Sequence, residues 1–162
     1  MVGEEKFRRL MGHFPTGVTV VTARDLNDRP VGLTVSAFTS VSLDPPLVLV
    51  CIHHEAEPHD PLLQVGYFGV NVLSHDQGGL AIAFSQGDSA GRFQGLETLD
   101  APMGSPLLPG SLAWLECRVH QVHEGGDHSI IVGEVLECEL LGGDPLLFFR
   151  RELKGFGPSR DA

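Results

Sequence analysis

Small hydroxyl side chains are concentrated in one short segment of this sequence: Thr34, Ser36, Thr39, Ser40 and Ser42. The segment lies between two runs that favour β-strands, and a hydroxyl that is buried without a partner is costly. Thr34, Ser36 and Ser40 share one face if the segment is extended, because side chains alternate along a strand. These hydroxyls therefore either belong to an ordinary strand, where threonine is common, or face a polar ligand.

A second candidate group is the pair Asp127-His128, which follows Gly125 and Gly126 between two β-rich runs. Imidazole changes its charge near neutral pH, so a histidine at the rim of a β-barrel can orient a ligand or balance its charge. The same residues also suit a tight turn, in which glycine supplies the positive φ and aspartate caps the backbone. Spacing alone favours the turn, with His128 as the next residue in line.

Three other kinds of site find little support in the sequence. His53 and His54 are adjacent, but neighbouring side chains on a strand point to opposite faces, and neither H-E-x-x-H nor C-x-x-C occurs. We therefore expect no metal site. The dinucleotide-binding G-x-G-x-x-G and the P-loop are also absent. Without a G-x-S-x-G elbow, a Ser-His-Asp hydrolase is disfavoured.

The composition predicts one acidic globular domain. The chain has 162 residues, of which 42% are hydrophobic, enough for a single packed core. A formal net charge of −10 argues against nucleic acid as a partner, because phosphate backbones are bound by basic surfaces. No membrane span or signal-peptide core is apparent. The unrelated spacing of the three cysteines favours reduced thiols, so we expect a cytoplasmic protein.

The elements that must position these groups are mainly strands. Apolar residues at helical spacing predict a helix over residues 4–12. A turn-rich connection predicts a hairpin between strands at 18–22 and 31–35, and the apolar run 47–52 is typical of a strand buried on both faces. Further predicted elements are a short helix at 61–66, a strand at 67–73, a helix at 77–85, a long loop at 87–111 and long strands at 112–123 and 129–140. Together they indicate a mostly antiparallel β-barrel with peripheral helices.

The hydroxyl segment has the pattern T-x-S-x-F-x-S-V-S-x-D-P-P-L, which resembles the signature of the flavin reductase-like family. Six further blocks match motifs of that family in the family's order: F-P-T-G-V at 14–18, F-G-V-N-V-L at 68–73, L-A with Phe84 at 80–84, G-R-F at 91–93, L-A-W-L-E-C at 112–117 and G-D-H at 126–128. The resemblance implies a mainly β fold, an antiparallel FMN-binding split β-barrel with short helices. It makes residues 1–162 a single domain, with a core at about 7–149 and a C-terminal extension at 150–162.

The resemblance also implies which residues contact a flavin. An isoalloxazine ring needs an apolar slot with hydroxyl or backbone groups at its polar edge. In this family the G-D-H histidine lies near the flavin and the nicotinamide, which favours a functional His128. The cofactor-binding residues expected by analogy are Thr34, Val35, Ser36 and Ala37 along the ring, Ser40 near the phosphate-bearing tail, Cys51 and Ile52 bordering the ring, and Phe84, Ser85, Arg92 and Phe93.

Two departures from the family pattern affect the expected site. The family reads D-R-F where this chain has Gly91-Arg92-Phe93. Arg92 is retained, and its planar fork suits a flavin phosphate, although a solvated loop arginine is the alternative. The missing aspartate leaves the choice between FMN and FAD open. Near the C-terminus, the family's aromatic-x-x-Gly-aromatic ending is replaced by Arg150-Arg151-Glu152-Leu153. This difference could change the dimer contact or the lid over the flavin site.

The function that the resemblance implies is that of a homodimeric NAD(P)H:flavin oxidoreductase. NADH or NADPH would give a hydride to FMN, or FAD, in the barrel groove, and a separate monooxygenase would receive the reduced flavin. Because the cofactors carry this chemistry, we do not expect His128 to be an obligatory acid. The alternatives are a flavin- or haem-binding split-barrel module without turnover and a pyridoxamine oxidase-like enzyme. The latter would need a more basic phosphate site.

Overall fold

The computed structural model describes residues 1–156, apart from the side chains of residues 89 and 90; residues 157–162 of the predicted extension lie outside the described part. No helix in the described part is long and apolar enough to cross a membrane. The helices are α1 (Glu4–Met11), α2 (His59–Val65), α3 (Gly78–Ser85) and α4 (Ser89–Arg92). The strands are β1 (Thr16–Gly17), β2 (Thr19–Arg24), β3 (Pro30–Val35), β4 (Phe38–Leu43), β5 (Pro46–His53), β6 (Tyr67–Val72), β7 (Leu99–Asp100), β8 (Pro106–Leu107), β9 (Ala113–Glu124), β10 (His128–Leu140), β11 (Leu146–Phe149) and β12 (Glu152–Gly155).

Seven strands form one antiparallel sheet in the order β3-β2-β6-β9-β10-β5-β4. The predicted hairpin forms between β2 and β3, with Thr19 opposite Val35. The long pair β9 and β10 is joined by a tight turn in which Gly126 has a φ of 82°, a conformation that glycine adopts without strain. A smaller sheet has the order β1-β11-β12 and lies beside the first.

The two edge strands of the large sheet, β3 and β4, are consecutive in the chain. Only Ser36 and Ala37 separate them. Three Cα–Cα steps span at most about 11 Å, so the end of β3 and the start of β4 lie close together. The backbone N–H of Cys51 in β5 also donates to the Ala37 carbonyl, at 3.0 Å. The sheet therefore curls until its two edges meet around Ser36.

Two buried apolar clusters form the core. The first includes Val21, Ile52 and Phe68, and the second includes Val20 and Phe84. Adjacent residues of β2 belong to different clusters because side chains alternate along a strand. The first cluster fills the curled sheet, and the second packs the sheet against α3 and the C-terminal strands.

The prediction of a long loop at 87–111 is wrong in detail, because this segment contains α4 and the strand pair β7–β8. Buried polar side chains of the large sheet bind the backbone of the second half of this segment. Glu116 has 0% exposure, and its carboxylate accepts from the backbone N–H groups of Met103 (2.8 Å) and Ser105 (3.0 Å). The Asn71 side-chain oxygen accepts from the Leu108 N–H at 2.8 Å. These partners are distant in sequence, so local patterns do not reveal the structure.

The prediction that β5 is buried on both faces is also wrong. Val48, Val50 and Ile52 are buried, whereas Leu49 and Cys51 on the other face are half-buried. That second face borders a groove rather than a packed layer. The other predicted helices and strands are confirmed, with bounds that differ by about two residues, a normal uncertainty for element ends.

The Glu116 contacts lead to a stability prediction. Replacing Glu116 by alanine should lower the free energy of unfolding by about 3 kcal/mol, because two backbone N–H groups lose a charged acceptor. Glu116→Gln keeps one acceptor oxygen and should cost about half as much. Urea titration measures both values. Glu139→Ala, an exposed carboxylate on β10, is the control, and an equal loss in the control would contradict this role.

Candidate functional site

Two adjoining cavities meet where β3 and β4 meet. The first, of about 760 Å³, lies between the end of β3, α3 and the β11–β12 hairpin. The second, of about 830 Å³, lies between the end of α1, β4 and β5. Both are lined by Ser36, Phe148 and Arg151, so they lie side by side, and together we call them the split groove. Each half has the volume of a typical cofactor pocket.

The split groove has mostly apolar walls with a few polar groups. Its apolar lining includes Val18, Ala81, Ile82 and Leu153 in the first half and Met11, Phe14, Phe38 and Leu49 in the second; its polar and charged lining includes Thr34, Ser36, Thr39, Ser85, Arg8, Arg151 and Glu152. Apolar walls with a small number of placed polar groups are typical of small-molecule sites. A flat ring system with one polar edge fits this lining.

The hydroxyls of the first half are oriented by α3. Thr34 Oγ1 donates to the Ala81 carbonyl at 2.6 Å, and Ser85 Oγ donates to the Ile82 carbonyl at 2.8 Å. Since each hydroxyl has one proton and two lone pairs, both oxygens remain acceptors toward the groove. They can therefore receive hydrogen bonds from N–H or O–H groups of a ligand.

Four of the predicted flavin-contacting residues line the groove: Thr34, Ser36, Ala37 and Ser85. Four others are buried in the core: Val35, Ile52, Phe84 and Phe93. Val35 points away because its neighbours on both sides face the groove. Phe84 and Phe93 contact each other edge to face with ring centroids 4.9 Å apart, and they support the groove wall from beneath. A direct flavin contact stays a prediction for these residues.

Thr39, rather than its neighbour Ser40, belongs to the described lining, so the predicted shared face of Thr34, Ser36 and Ser40 is wrong. A contact between Ser40 and the phosphate-bearing tail of a flavin stays a prediction. Ser36 and Ala37 lie outside both strands and interrupt the extended register. Cys51 lies on the outer face of β5, two residues beyond Leu49. Burial raises the pKa of the Cys51 thiol, so this side chain is a neutral thiol at neutral pH.

Arg92 is held by backbone carbonyls. Its Nη1 donates to Gly32 at 2.6 Å, its Nη2 to Gly87 at 2.6 Å and its Nε to Gln86 at 3.0 Å. Gly32 belongs to the edge strand β3, so Arg92 fastens the segment that carries α4 to that edge. The geometry favours this structural role, and a contact between Arg92 and a flavin phosphate stays a prediction.

His128 lies at one end of the barrel, away from the described lining of the groove. Its Nδ1 donates to Asp127 at 2.6 Å, which lowers the pKa of that carboxyl group and leaves Nε2 of His128 available to a ligand. The His53 ring stands edge to face with that of His128, with centroids 5.1 Å apart, and its Nε2 is 3.9 Å from the second Asp127 oxygen. His53 is four residues beyond Leu49 on β5, about 13 Å along the strand.

Sequence reasoning missed several residues that line the groove. The main ones are Arg8 and Phe14 near α1 and Phe148 and Arg151 in the C-terminal hairpin. One signal was available: two consecutive arginines sit between short β-rich runs of an acidic chain. Their position at the groove depends on tertiary contacts, such as the 2.8 Å hydrogen bond from the Arg150 N–H to the Gly12 carbonyl.

Residues 11–157 match the family described as Flavin reductase like domain, and the chain belongs to that family. It is 45% identical over 142 residues to the FMN reductase (NADH) SmoA of Agrobacterium fabrum (strain C58 / ATCC 33970), covering 88% of this chain and 80% of that protein. It is 44% identical over 143 residues to the stachydrine N-demethylase reductase subunit Stc3 of Rhizobium meliloti (strain 1021). That match covers 88% of this chain but spans only 62% of the relative's length.

A solved structure agrees with the fold over almost the whole chain. The NADH:FAD oxidoreductase SgcE6 of Streptomyces globisporus C-1027, in complex with NAD and FAD fragments, superposes with a TM-score of 0.91. It is 38% identical in sequence, and the match covers 99% of each chain. The predicted antiparallel split barrel with short helices is therefore confirmed.

The bonds of Arg92 lead to a prediction that separates its two roles. Arg92→Ala should lower the free energy of unfolding by about 2 kcal/mol, because three carbonyls lose a charged donor. It should also weaken the binding of FMN and of riboflavin by the same factor, since both ligands depend on the same wall of the split groove. Urea titration and flavin fluorescence titration measure these effects, with Arg29→Ala as a surface control. A loss confined to FMN would instead indicate a direct contact with the phosphate.

Proposed function

We propose that this protein is an NAD(P)H:flavin oxidoreductase that passes a hydride from NADH, or NADPH, to FMN or FAD held in the split groove. The observation that carries the proposal is the groove at the open side of the barrel, with apolar walls and oriented hydroxyls. The relatives agree, since one is named an FMN reductase (NADH) and a structural neighbour is described with NAD and FAD fragments.

The residues present fit a flavin. Ile82, Phe148 and Leu49 offer apolar surface for a ring system, and the oxygens of Thr34 and Ser85 can accept hydrogen bonds at its polar edge. A bound flavin supplies the hydride-accepting chemistry that amino-acid side chains lack. The residues of the groove bind and orient the ring system and exclude water from one of its faces.

We assign His128 a positioning role toward the nicotinamide. Asp127 holds the imidazole through Nδ1, so Nε2 is the nitrogen that can meet a polar group such as a carboxamide. Hydride transfer requires the nicotinamide to lie against the flavin ring. This role therefore places both rings at the Leu49 side of the groove, from which Cys51 and then His53, the register partner of His128, follow along β5. Hydride transfer itself needs no proton from His128.

We also propose that the protein acts as a homodimer. The apolar side of α1 and the residues after it are exposed, with Phe7 at 57%, Leu10 at 64% and Phe14 at 66%. Met11 and Phe14 border the groove as well. Exposed apolar surface of this kind is typical of an interaction site, and a second copy would cover it and complete the groove wall.

The wider setting of the reaction is part of the same proposal. A relative is named as the reductase subunit of a demethylase, which supports a separate oxygenase component as the acceptor of reduced flavin. We propose a cytoplasmic location, which the free thiols of Cys51, Cys117 and Cys138 support. We treat residues 1–162 as a single domain.

The activity itself is the first test. The purified protein should oxidise NADH or NADPH only when FMN or FAD is bound or supplied, because its side chains provide no hydride acceptor. Absorbance at the nicotinamide band measures the rate, and circular dichroism shows that the protein is folded. If neither donor reacts with either flavin in folded protein, the proposed reductase activity is excluded. The protein would then be a flavin-binding module without turnover.

The role of His128 gives a kinetic prediction. His128→Ala should leave flavin affinity unchanged and change the free energy of unfolding by no more than about 0.5 kcal/mol, since the residue is partly exposed and follows a glycine turn. It should either slow flavin reduction by about tenfold or raise the KM for the donor by about tenfold. A tenfold change corresponds to about 1.4 kcal/mol of activation free energy. Stopped-flow mixing with NADH measures both, and His123→Ala is the control. Wild-type rates at all donor concentrations would make His128 a turn residue only.

A further inference from the structure

A small cavity next to the split groove is lined by arginines. It has a volume of about 270 Å³ and lies between the end of α1 and the turn of the β11–β12 hairpin. Four arginines line it: Arg8, Arg9, Arg150 and Arg151, together with His13 and one carboxylate, Glu5. We call it the arginine cavity. The hydrogen bond from the Arg150 N–H to the Gly12 carbonyl, at 2.8 Å, joins its two sides.

The arginine cavity gathers positive charge on an acidic protein. Its four arginines are more than a third of the 11 Lys and Arg residues of a chain whose formal net charge is −10. Arg8 pairs with Glu4 at 2.9 Å. Across residues 1–156, the ion pairs leave Arg9, Arg150 and Arg151 without a carboxylate within salt-bridge distance. Clustered cations without anionic partners repel one another, so this arrangement favours an anionic ligand.

The backbone at the turn supports a functional role. Arg150 and Arg151 are the two central residues of a two-residue hairpin connection, with φ values of 51° and 65°. Glycine and asparagine favour these conformations, whereas a long side chain at positive φ is uncommon. The turn therefore accepts backbone strain at two adjacent positions that both carry a guanidinium group. Strain of this kind is concentrated at ligand sites.

The cavity adjoins the split groove. Arg151 lines the arginine cavity and both halves of the groove, and Arg8 lines the cavity and the second half. A ligand whose ring system lies against Leu49 and Phe148 can therefore place a charged tail next to Arg151, which lines the groove as well as the arginine cavity.

We infer that the arginine cavity binds a phosphate group of the ligand held in the split groove, with Arg151 and Arg8 as its main contacts. The guanidinium fork matches the geometry of phosphate oxygens and forms strong charge-assisted bonds. The inference rests on the proposed function for the identity of the ligand. Two ligands of that reaction carry this chemistry: the flavin, through its 5′-phosphate, and the nicotinamide dinucleotide.

Two variants test the inference by equilibrium binding, without turnover. Arg151→Gly removes the guanidinium and introduces the residue that the turn favours, so the folded hairpin should be retained. Arg8→Gln removes the second charge and retains a helix-forming residue. Arg29→Ala is the matched control, because Arg29 lies next to the far end of β3, about 17 Å along the strand from Thr34. Fluorescence titration gives the Kd for FMN and for riboflavin, which has no phosphate.

If the flavin phosphate occupies the cavity, Arg151→Gly and Arg8→Gln should each weaken FMN by about tenfold or more, the effect of losing a hydrogen bond to a charged group. Riboflavin should bind as it does to the wild type. If the dinucleotide occupies it, flavin affinities should stay constant and the Kd for NADH or NADPH, from the same kind of titration, should rise by a similar factor. Either result supports the inference.

Equal losses for FMN and riboflavin, or no change for any ligand, would overturn the inference. A change in oligomeric state without a change in affinity would also overturn it, and would assign the arginines to a protein interface. These outcomes differ from failure of the proposed function, in which the wild-type protein oxidises neither nicotinamide donor with any flavin while its FMN and riboflavin affinities can still be compared.

Discussion

Ser36 and Ala37 alone join the two edge strands of the seven-stranded sheet, and the site depends on this short connection. Since it spans at most about 11 Å, β3 and β4 must approach each other even though they stand at opposite ends of the strand order. The sheet therefore closes into a barrel with one seam. Edge strands expose unpaired backbone groups, so other elements must cover the seam. The split groove is the space that these covering elements leave.

The helical segment after β6 covers one side of the seam and is fixed to β3 from two directions. Thr34 donates to Ala81 in α3, and Arg92 donates to the Gly32 carbonyl. Gly32 permits this close packing, because a Cβ there would lie 3.0 Å from a Phe84 ring carbon and 3.2 Å from one of Phe93. Residues of the family motifs thus divide into those that line the groove and those that brace its wall.

Charge is distributed unevenly along the groove. A chain with a net charge of −10 repels anionic flavins and dinucleotides at long range. At one end of the groove, however, Arg8 and Arg151 provide a local positive region. Salt screens the long-range repulsion more than it screens contacts made inside a cavity, so the acidic surface does not prevent a phosphate from binding there.

The sequence alone determined the fold class, most elements and the segment that forms the groove wall. Helix α1, the β2–β3 hairpin and the β9–β10 pair depend on local periodicity and turn residues, which a sequence shows directly. The tertiary structure decided which side chains line the groove. Thr39 rather than Ser40 lines the groove because the strand register is interrupted at Ser36. Arg92 donates its hydrogen bonds to three backbone carbonyls, two of them in the loop before α4 and one in β3. Arg8 and Arg151 line the same cavities although they lie near opposite ends of the described residues. Side-chain direction and such convergence depend on long-range strand pairing, and local sequence patterns do not encode it.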